Sequence, residues 1–152
     1  IWQPILSSEE KVQKQKKLLS AVELDPEILS RYAFELSGGQ KQRASILRSL
    51  LVEPTFLILD EPLASQDASK RKNLLILLKK LQKEFSLGYL YITHDLSSLH
   101  TFSDSIAVML QGSIVEIAPT QELLSNPKHP YTQKLLNARM TSIQKELEIR
   151  GF

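Results

Sequence analysis

Cysteine is absent from the 152-residue chain, which excludes disulfide frameworks, thiol catalysis and Cys-based metal sites. Excess charge is absent too: 19 basic residues face 17 acidic ones, a formal net charge of +2. A nucleic-acid footprint needs a clustered basic excess, so no nucleic-acid partner is expected. No apolar run approaches the roughly 18 residues of a membrane helix. A secretory leader layout is missing from residues 1–20, where the charges follow the short apolar start. The chain is therefore expected to be soluble and intracellular. It opens at Ile1 with no Met, as expected for a piece of something longer. Glycine is scarce as well. The five are Gly38, Gly39, Gly88, Gly112 and Gly151, and none precedes a lysine. The G-x-x-x-x-G-K-[ST] loop that cradles phosphates is therefore missing.

What is present is enough for one domain with a real core. Ser7 and Ser8 before Glu9 and Glu10 predict a helix through Val22, with a Lys-rich face and a thin apolar stripe of Val12, Leu19 and Val22. Asp25-Pro26 is a second start signal, with Asp as cap and Pro at the first helical position. Ser37 is placed to cap a helix from about Gly39 to Glu53 that buries Ile46, Leu47, Leu50 and Leu51. At Pro54 the pattern changes. "TFLILD" reads as a fully buried parallel strand, because its apolar run is continuous instead of alternating. Asp67 then caps a long helix carrying Leu74, Leu78, Leu81 and Phe85 at helical spacing, ended by Gly88. "YLYIT" is a second buried strand, "DLSSLHTF" a short helix and "SIAVML" a third strand. Gln111-Gly112 turns into "SIVEIA" as a hairpin. Strand, helix, strand, helix, strand implies right-handed crossovers and a parallel sheet, an α/β fold. After "SNPKHP", a final helix places Leu136, Met140, Ile143 and Leu147 on one face.

Three short stretches carry chemistry. In "FLILDEP" a strand delivers Asp60 and Glu61 at its carboxyl end, the edge at which open α/β sheets bind ligands. Such a pair can serve Mg²⁺ and activate water; it can equally solvate a strand end. In "YITHD" the next strand delivers His94 to the same edge, as a capping residue or as a member of one constellation with the acids. In "LSGGQ" a helix start offers unpaired N–H groups and a positive dipole end, which bind anions. Gly38 and Gly39 would let a phosphate approach the backbone, and the Ser37 hydroxyl could donate to it. The alternative is a Ser-capped helix with a flexible entry.

In this order, "LSGGQKQR", "LILDEP", Asp67 and "ITHD" resemble the signature motif, Walker B, D-loop and switch histidine of the ATP-binding subunits of ABC transporters. The resemblance covers essentially the whole chain. "NPKHPYTQKLL" further resembles the C-terminal motif of the oligopeptide, dipeptide and nickel importer type. The fold implied is the C-terminal part of a P-loop NTPase domain. Residues 1–53 would form helical and signature regions, 54–118 the sheet core, and 119–152 an importer-type extension of a single partial domain.

The resemblance also implies cofactors, ATP and Mg²⁺, and roles. Ser37, Gly38, Gly39 and Gln40 would contact the γ-phosphate of ATP held mainly by a partner subunit. Asp60 would serve Mg²⁺ through water, Glu61 would be the catalytic carboxylate, His94 would contact the γ-phosphate and help position the water, and Asp67 would sit at the dimer interface. The implied partners are a second ATPase subunit, in a homo- or heterodimer, membrane permease subunits and, indirectly, a solute-binding protein, at the cytoplasmic face of the membrane. The D-loop departs from the usual Ser-Ala-Leu-Asp: here it is Ala64-Ser65-Gln66-Asp67, with polar Gln66 in an apolar place.

The family's first strands, its aromatic adenine contact and its Q-loop are missing along with Walker A; Gln3 lies too close to Ser37 to be the last. Three readings of this compete. The chain is the C-terminal half of an ordinary nucleotide-binding domain, a truncated non-hydrolysing binding module, or a piece of a DNA-maintenance ABC ATPase. The third calls for coiled-coil flanks and a different signature context, neither of which is seen, and the first is favoured. The chain alone is expected to expose a strand edge and an apolar face, to self-associate, and to be inactive. His129 is expected to be structural, because no second ligand stands at a helical offset nearby.

Overall fold

Ser7 begins the first helix as its sequence predicts. Its hydroxyl accepts from the Glu10 N–H at 3.2 Å and the Glu10 carboxylate accepts from the Ser7 N–H at 2.7 Å. This reciprocal box starts α1, Ser8–Ala21. The computed structural model describes residues 7–64, 66–94 and 102–138. They fall in two compact units, Ile1–Leu90 and Tyr91–Phe152.

In the first unit, α1 buries Leu18, Leu19 and Ala21, and Val22 just beyond it. Val12 is exposed, so the buried stripe begins nearly two turns later than predicted, at Leu18. Asp25 and Pro26 open a 3₁₀ turn, Pro26–Ser30, in which the Asp25 carboxylate accepts from the Glu27 N–H at 2.9 Å. A second short turn, Ala33–Glu35, leads to Ser37 and α2, Gly38–Leu50. Leu50 is buried, but Ile46 and Leu47 are only half-buried and Leu51 is exposed. Two ion pairs tie α1 to α2: Lys14 to Glu53 at 2.6 Å, and Arg43 to Glu23 at 2.5 Å. The Arg43 guanidinium also donates to the Val22 carbonyl at 2.9 Å.

Strand β1, Phe56–Asp60, pairs with β2, Gly88–Ile92, through the helix α3, Ala68–Phe85, giving a parallel pair joined by a crossover. β1 is not fully buried. Its burial alternates, with Phe56 54% and Ile58 65% exposed. The continuous apolar run predicts a strand buried on both faces, whereas the described residues leave one face open and half-bury the other. α3 buries Leu74, Leu77, Leu78 and Leu81. It ends in Ser86, in the left-handed region at φ 53°, not at Gly88. Gly88 instead opens β2. Its N–H donates to the Thr55 carbonyl at 2.8 Å, and a Cβ there would stand 2.7 Å from the Phe56 ring. The Tyr89 hydroxyl donates to the Leu78 carbonyl at 2.9 Å, fixing β2 to α3, and burial pushes its pKa up to about 12.

In the second unit, β3, Ser105–Leu110, and β4, Ser113–Pro119, form an antiparallel hairpin, with an irregularity in register between Val108 and Met109. Gln111 and Gly112 both have positive φ, 49° and 80°, as the predicted tight turn requires. Among the described residues β3 pairs with β4 alone, so it does not extend the parallel sheet as the strand order suggested. Ile106, Val108 and Leu123, the last from α4, Thr120–Ser125, form a core on which Tyr131 packs. Residues 130–138 are helical, and this segment is α5. Leu136 on it is half-buried. The predicted helix over 95–102 falls almost wholly outside the described residues, as do Met140, Ile143 and Leu147.

The start of α5 is held by a residue the sequence did not flag. The Glu116 carboxylate of β4 accepts from the Lys128 N–H at 2.8 Å and the His129 N–H at 3.0 Å. The His129 ring is structural: its Nδ1 accepts from the Tyr131 N–H at 3.1 Å. The nearby Thr132 hydroxyl and the two N–H donors hold the Glu116 carboxyl below the usual carboxylate range. The buried Thr132 Oγ1 makes no hydrogen bond of good geometry, so the amides carry the clamp. A lowered folded pKa means that the clamp is fully present at neutral pH and is lost as pH falls through that value. Glu116→Ala is expected to speed amide exchange at Lys128 and His129 by about tenfold at pH 7, the scale of a lost charged hydrogen bond. Unchanged exchange would show that the helix start stands without it.

Candidate functional site

Helix α2 presents its first turn to solvent. The Ser37 Oγ accepts from the Gln40 N–H at 3.3 Å, and Gln40 Oε1 accepts from the Ser37 N–H at 2.9 Å. Both interactions point inward along the helix start, and the Ser37 O–H remains available to donate. Ser37, Gly38 and Gly39 are exposed and Gln40 is half-buried. A Cβ at Gly38 or Gly39 would meet nothing within 4 Å. Neither has a positive φ, so nothing in this chain's own packing or backbone calls for glycine at these two positions. What glycine provides here is room and open amides on the outer side.

Asp60 ends β1 and is exposed; Glu61 follows it and is half-buried. Glu61 has φ 45°, in the left-handed region. The other described non-glycine residues with positive φ lie just past a helix (Glu23, Glu53, Ser86) or in the hairpin turn (Gln111). Glu61 alone among them follows a strand directly, in a conformation that costs of order 1 kcal/mol for a side chain of this size. The turn it starts is closed by the Ala64 N–H donating to the Glu61 carbonyl at 3.1 Å.

Asp67 caps α3 as predicted, its carboxylate accepting from the Lys70 N–H at 2.9 Å and pairing with the Lys70 ammonium at 2.8 Å. The Lys70 side chain and amide hold the Asp67 carboxyl below its ordinary range. His94 lies two residues past the end of β2, exposed, in the second unit.

A cleft of about 270 Å³ runs between α2 and β1, bounded by Gln42, Ile46, Leu59, Asp60, Leu74 and Leu78. Among the described residues, no Lys, Arg or His lines it. It offers a triphosphate no positive charge and sets Asp60 against it. Nor do the described residues contain a cluster of three His, Cys, Asp or Glu side chains able to hold a metal by themselves. Asp60 with Glu61 could serve Mg²⁺ only in the manner typical of that ion, with waters and phosphate oxygens completing the shell.

Residues 3–64 match the ABC transporter family profile, and residues 115–151 match the C-terminal region of oligopeptide and dipeptide transporters. The chain belongs to the ABC transporter ATP-binding family. It is 52% identical over 130 residues to the oligopeptide transport ATP-binding protein AmiF of Streptococcus pneumoniae, spanning 86% of this chain and 42% of AmiF. To the oligopeptide transport ATP-binding protein OppF of Bacillus subtilis it is 48% identical over 132 residues, 87% of this chain and 43% of OppF. MJ1267, an ATP-binding cassette of an ABC transporter, superposes with a TM-score of 0.70 at 27% identity, over 89% of this chain and 52% of that one. The chain thus spans about two fifths of the curated relatives it matches. No helix among its described residues is long and apolar enough to cross a membrane.

Sequence reading missed Gln42. Its Nε2 donates to the Pro62 carbonyl, and its Oε1 accepts from Gln66 Nε2 at 2.6 Å. The one available signal was the unusual Gln66 in the D-loop.

Proposed function

We propose that this chain is the C-terminal portion of an ATPase subunit of a peptide-importing ABC transporter, and that it supplies the closing half of a composite nucleotide site. The observation that carries the reading is the start of α2: two exposed glycines with no local reason to be glycine, behind a serine whose O–H can still donate. In this reading Ser37, Gly38, Gly39 and Gln40 meet the γ-phosphate of ATP bound mainly to a second ATPase subunit. Asp60 holds Mg²⁺ through water, Glu61 takes the proton of the attacking water, His94 orients that water against the γ-phosphate, and Asp67 lies at the subunit interface. Bound Mg²⁺ would neutralise charge developing on the phosphates. The permease subunits, at the cytoplasmic face of the membrane, would receive the motion, and a solute-binding protein would deliver the solute.

Peptide is favoured over nickel as the solute class, because the relatives named above are oligopeptide transport proteins. The near-balanced charge favours transport over DNA maintenance. A free-standing, non-hydrolysing binding module is less favoured, because Glu61 keeps a strained backbone directly after a strand. The test is Ser37→Arg in the full-length subunit. A long cation filling the phosphate space is expected to remove ATP turnover while the subunit still binds ATP. Undiminished turnover would place the functional face elsewhere.

A further inference from the structure

Gln42 lies in the second turn of α2, half-buried, and uses both ends of its amide. The Nε2 donates to the carbonyl of Pro62, 20 residues on. The Oε1 accepts from Nε2 of Gln66, 24 residues on, at 2.6 Å. Gln66 is gripped from its other side as well: Arg71 Nε, on the first turn of α3, donates to the Gln66 carbonyl at 2.9 Å. Pro62 and Gln66 are the two flanks of the loop that joins β1 to α3, and Asp67 is the next residue. The helix that starts at Ser37 and the loop that ends at Asp67 are thus bridged by one side-chain pair.

We propose that Gln42 and Gln66 are positioning residues that hold the Asp67 loop at a fixed spacing from the Ser37 helix start, so that both present to the partner subunit as one rigid surface. This rests on the composite-site reading above. A side-chain amide with both ends engaged cannot rotate without breaking two bonds, so the pair fixes direction as well as distance. The contact is neutral and half-buried, which makes it far less sensitive to salt than an ion pair. It also explains why a polar residue occupies position 66. A leucine there, the usual residue of the family pattern, would leave Gln42 Oε1 without this donor and the loop tied to α2 through Pro62 alone, with Arg71 still holding the carbonyl of residue 66. Neither glutamine is placed against nucleotide: Gln42 is five residues into the helix, roughly 7.5 Å along its axis from Ser37. Their loss should therefore slow the assembled site without weakening ATP binding.

The experiment is ATP turnover by the full-length subunit with Gln42→Met, Gln66→Leu and both together, with Ser37→Arg run beside them. Expected for each single variant is a fall in kcat of about three- to tenfold, the scale of one or two neutral hydrogen bonds, with KM for ATP unchanged. The double variant should be no slower than the worse single one, because both remove the same bridge. Amide exchange over residues 62–67 should rise in every variant. If Gln42→Met fails to fold, Gln66→Leu, which changes only a loop side chain, carries the test. Additive losses, or a change confined to KM, while Ser37→Arg is inactive, would overturn the tether and leave the composite site standing. Full turnover in Ser37→Arg would sink the composite-site reading instead. The tether would then stand or fall on the exchange of residues 62–67 alone, unchanged exchange overturning it.

Discussion

Glu61→Gln in the full-length subunit is expected to keep ATP binding and to lose turnover by ~10² or more, the usual scale for removing a general base. The side chain keeps its size and its place after β1, so the left-handed backbone at φ 45° should persist. What is lost is the basic oxygen. An amide cannot take a proton from water, and its orientation is set by hydrogen bonding alone. Binding should survive because, in the proposed role, the residue acts on the attacking water and takes no part in gripping the triphosphate. Removing the carboxylate also removes a negative charge near phosphate, so affinity should hold or rise. A steady-state rate within about threefold of the unmodified subunit would assign the base to another group.

The second large effect is an absence of binding. The 152-residue chain by itself is expected to hold Mg-ATP more weakly than millimolar and to hydrolyse none of it. Millimolar affinity already requires about 4 kcal/mol. One exposed helix start offers a nearby anion roughly 0.3 to 1 kcal/mol. Among the described residues, no Lys, Arg or His lines the cleft beside β1, and Asp60 in its lining repels phosphate. The usual phosphate grip is a loop of amides with a lysine, and none of the five glycines precedes a lysine. Isothermal titration with Mg-ATP checks this directly. A micromolar dissociation constant would reveal a phosphate site built from other residues.

Helix starts were legible because their causes are local. Ser7, Asp25, Ser37 and Asp67 each cap a helix with an atom two or three residues away, and each capped where its sequence said. The Gln111-Gly112 turn was legible for the same reason. Burial was less so, because it depends on what covers a face. "TFLILD" has the composition of a two-sided strand, yet Phe56 and Ile58 are open. Gly88 was read as a helix stop, but its role comes from Phe56, 32 positions earlier, whose ring leaves no room for a Cβ. The site divides in the same way. Motif order singles out Ser37, Gly38, Gly39, Gln40, Asp60, Glu61, Asp67 and His94 as candidates. The strain at Glu61 could not, nor could the Gln42–Gln66 bridge or the Glu116 clamp. Each of these joins atoms whose proximity only the folded chain creates.

In the proposed composite site, Ser37 serves a nucleotide whose catalytic carboxylate belongs to the partner subunit. Mixing two differently tagged full-length subunits, one Ser37→Arg and the other Glu61→Gln, tests it most directly. Each variant alone should be inactive. In a mixed head-to-tail dimer, one site carries both defects and the other carries neither. Turnover should therefore reappear, up to roughly a quarter of the unmodified rate for random pairing. A mixture that stays inactive, with mixed dimers demonstrated by capture on both tags, would show that Ser37 and Glu61 act on the same nucleotide within one subunit, contradicting the composite site.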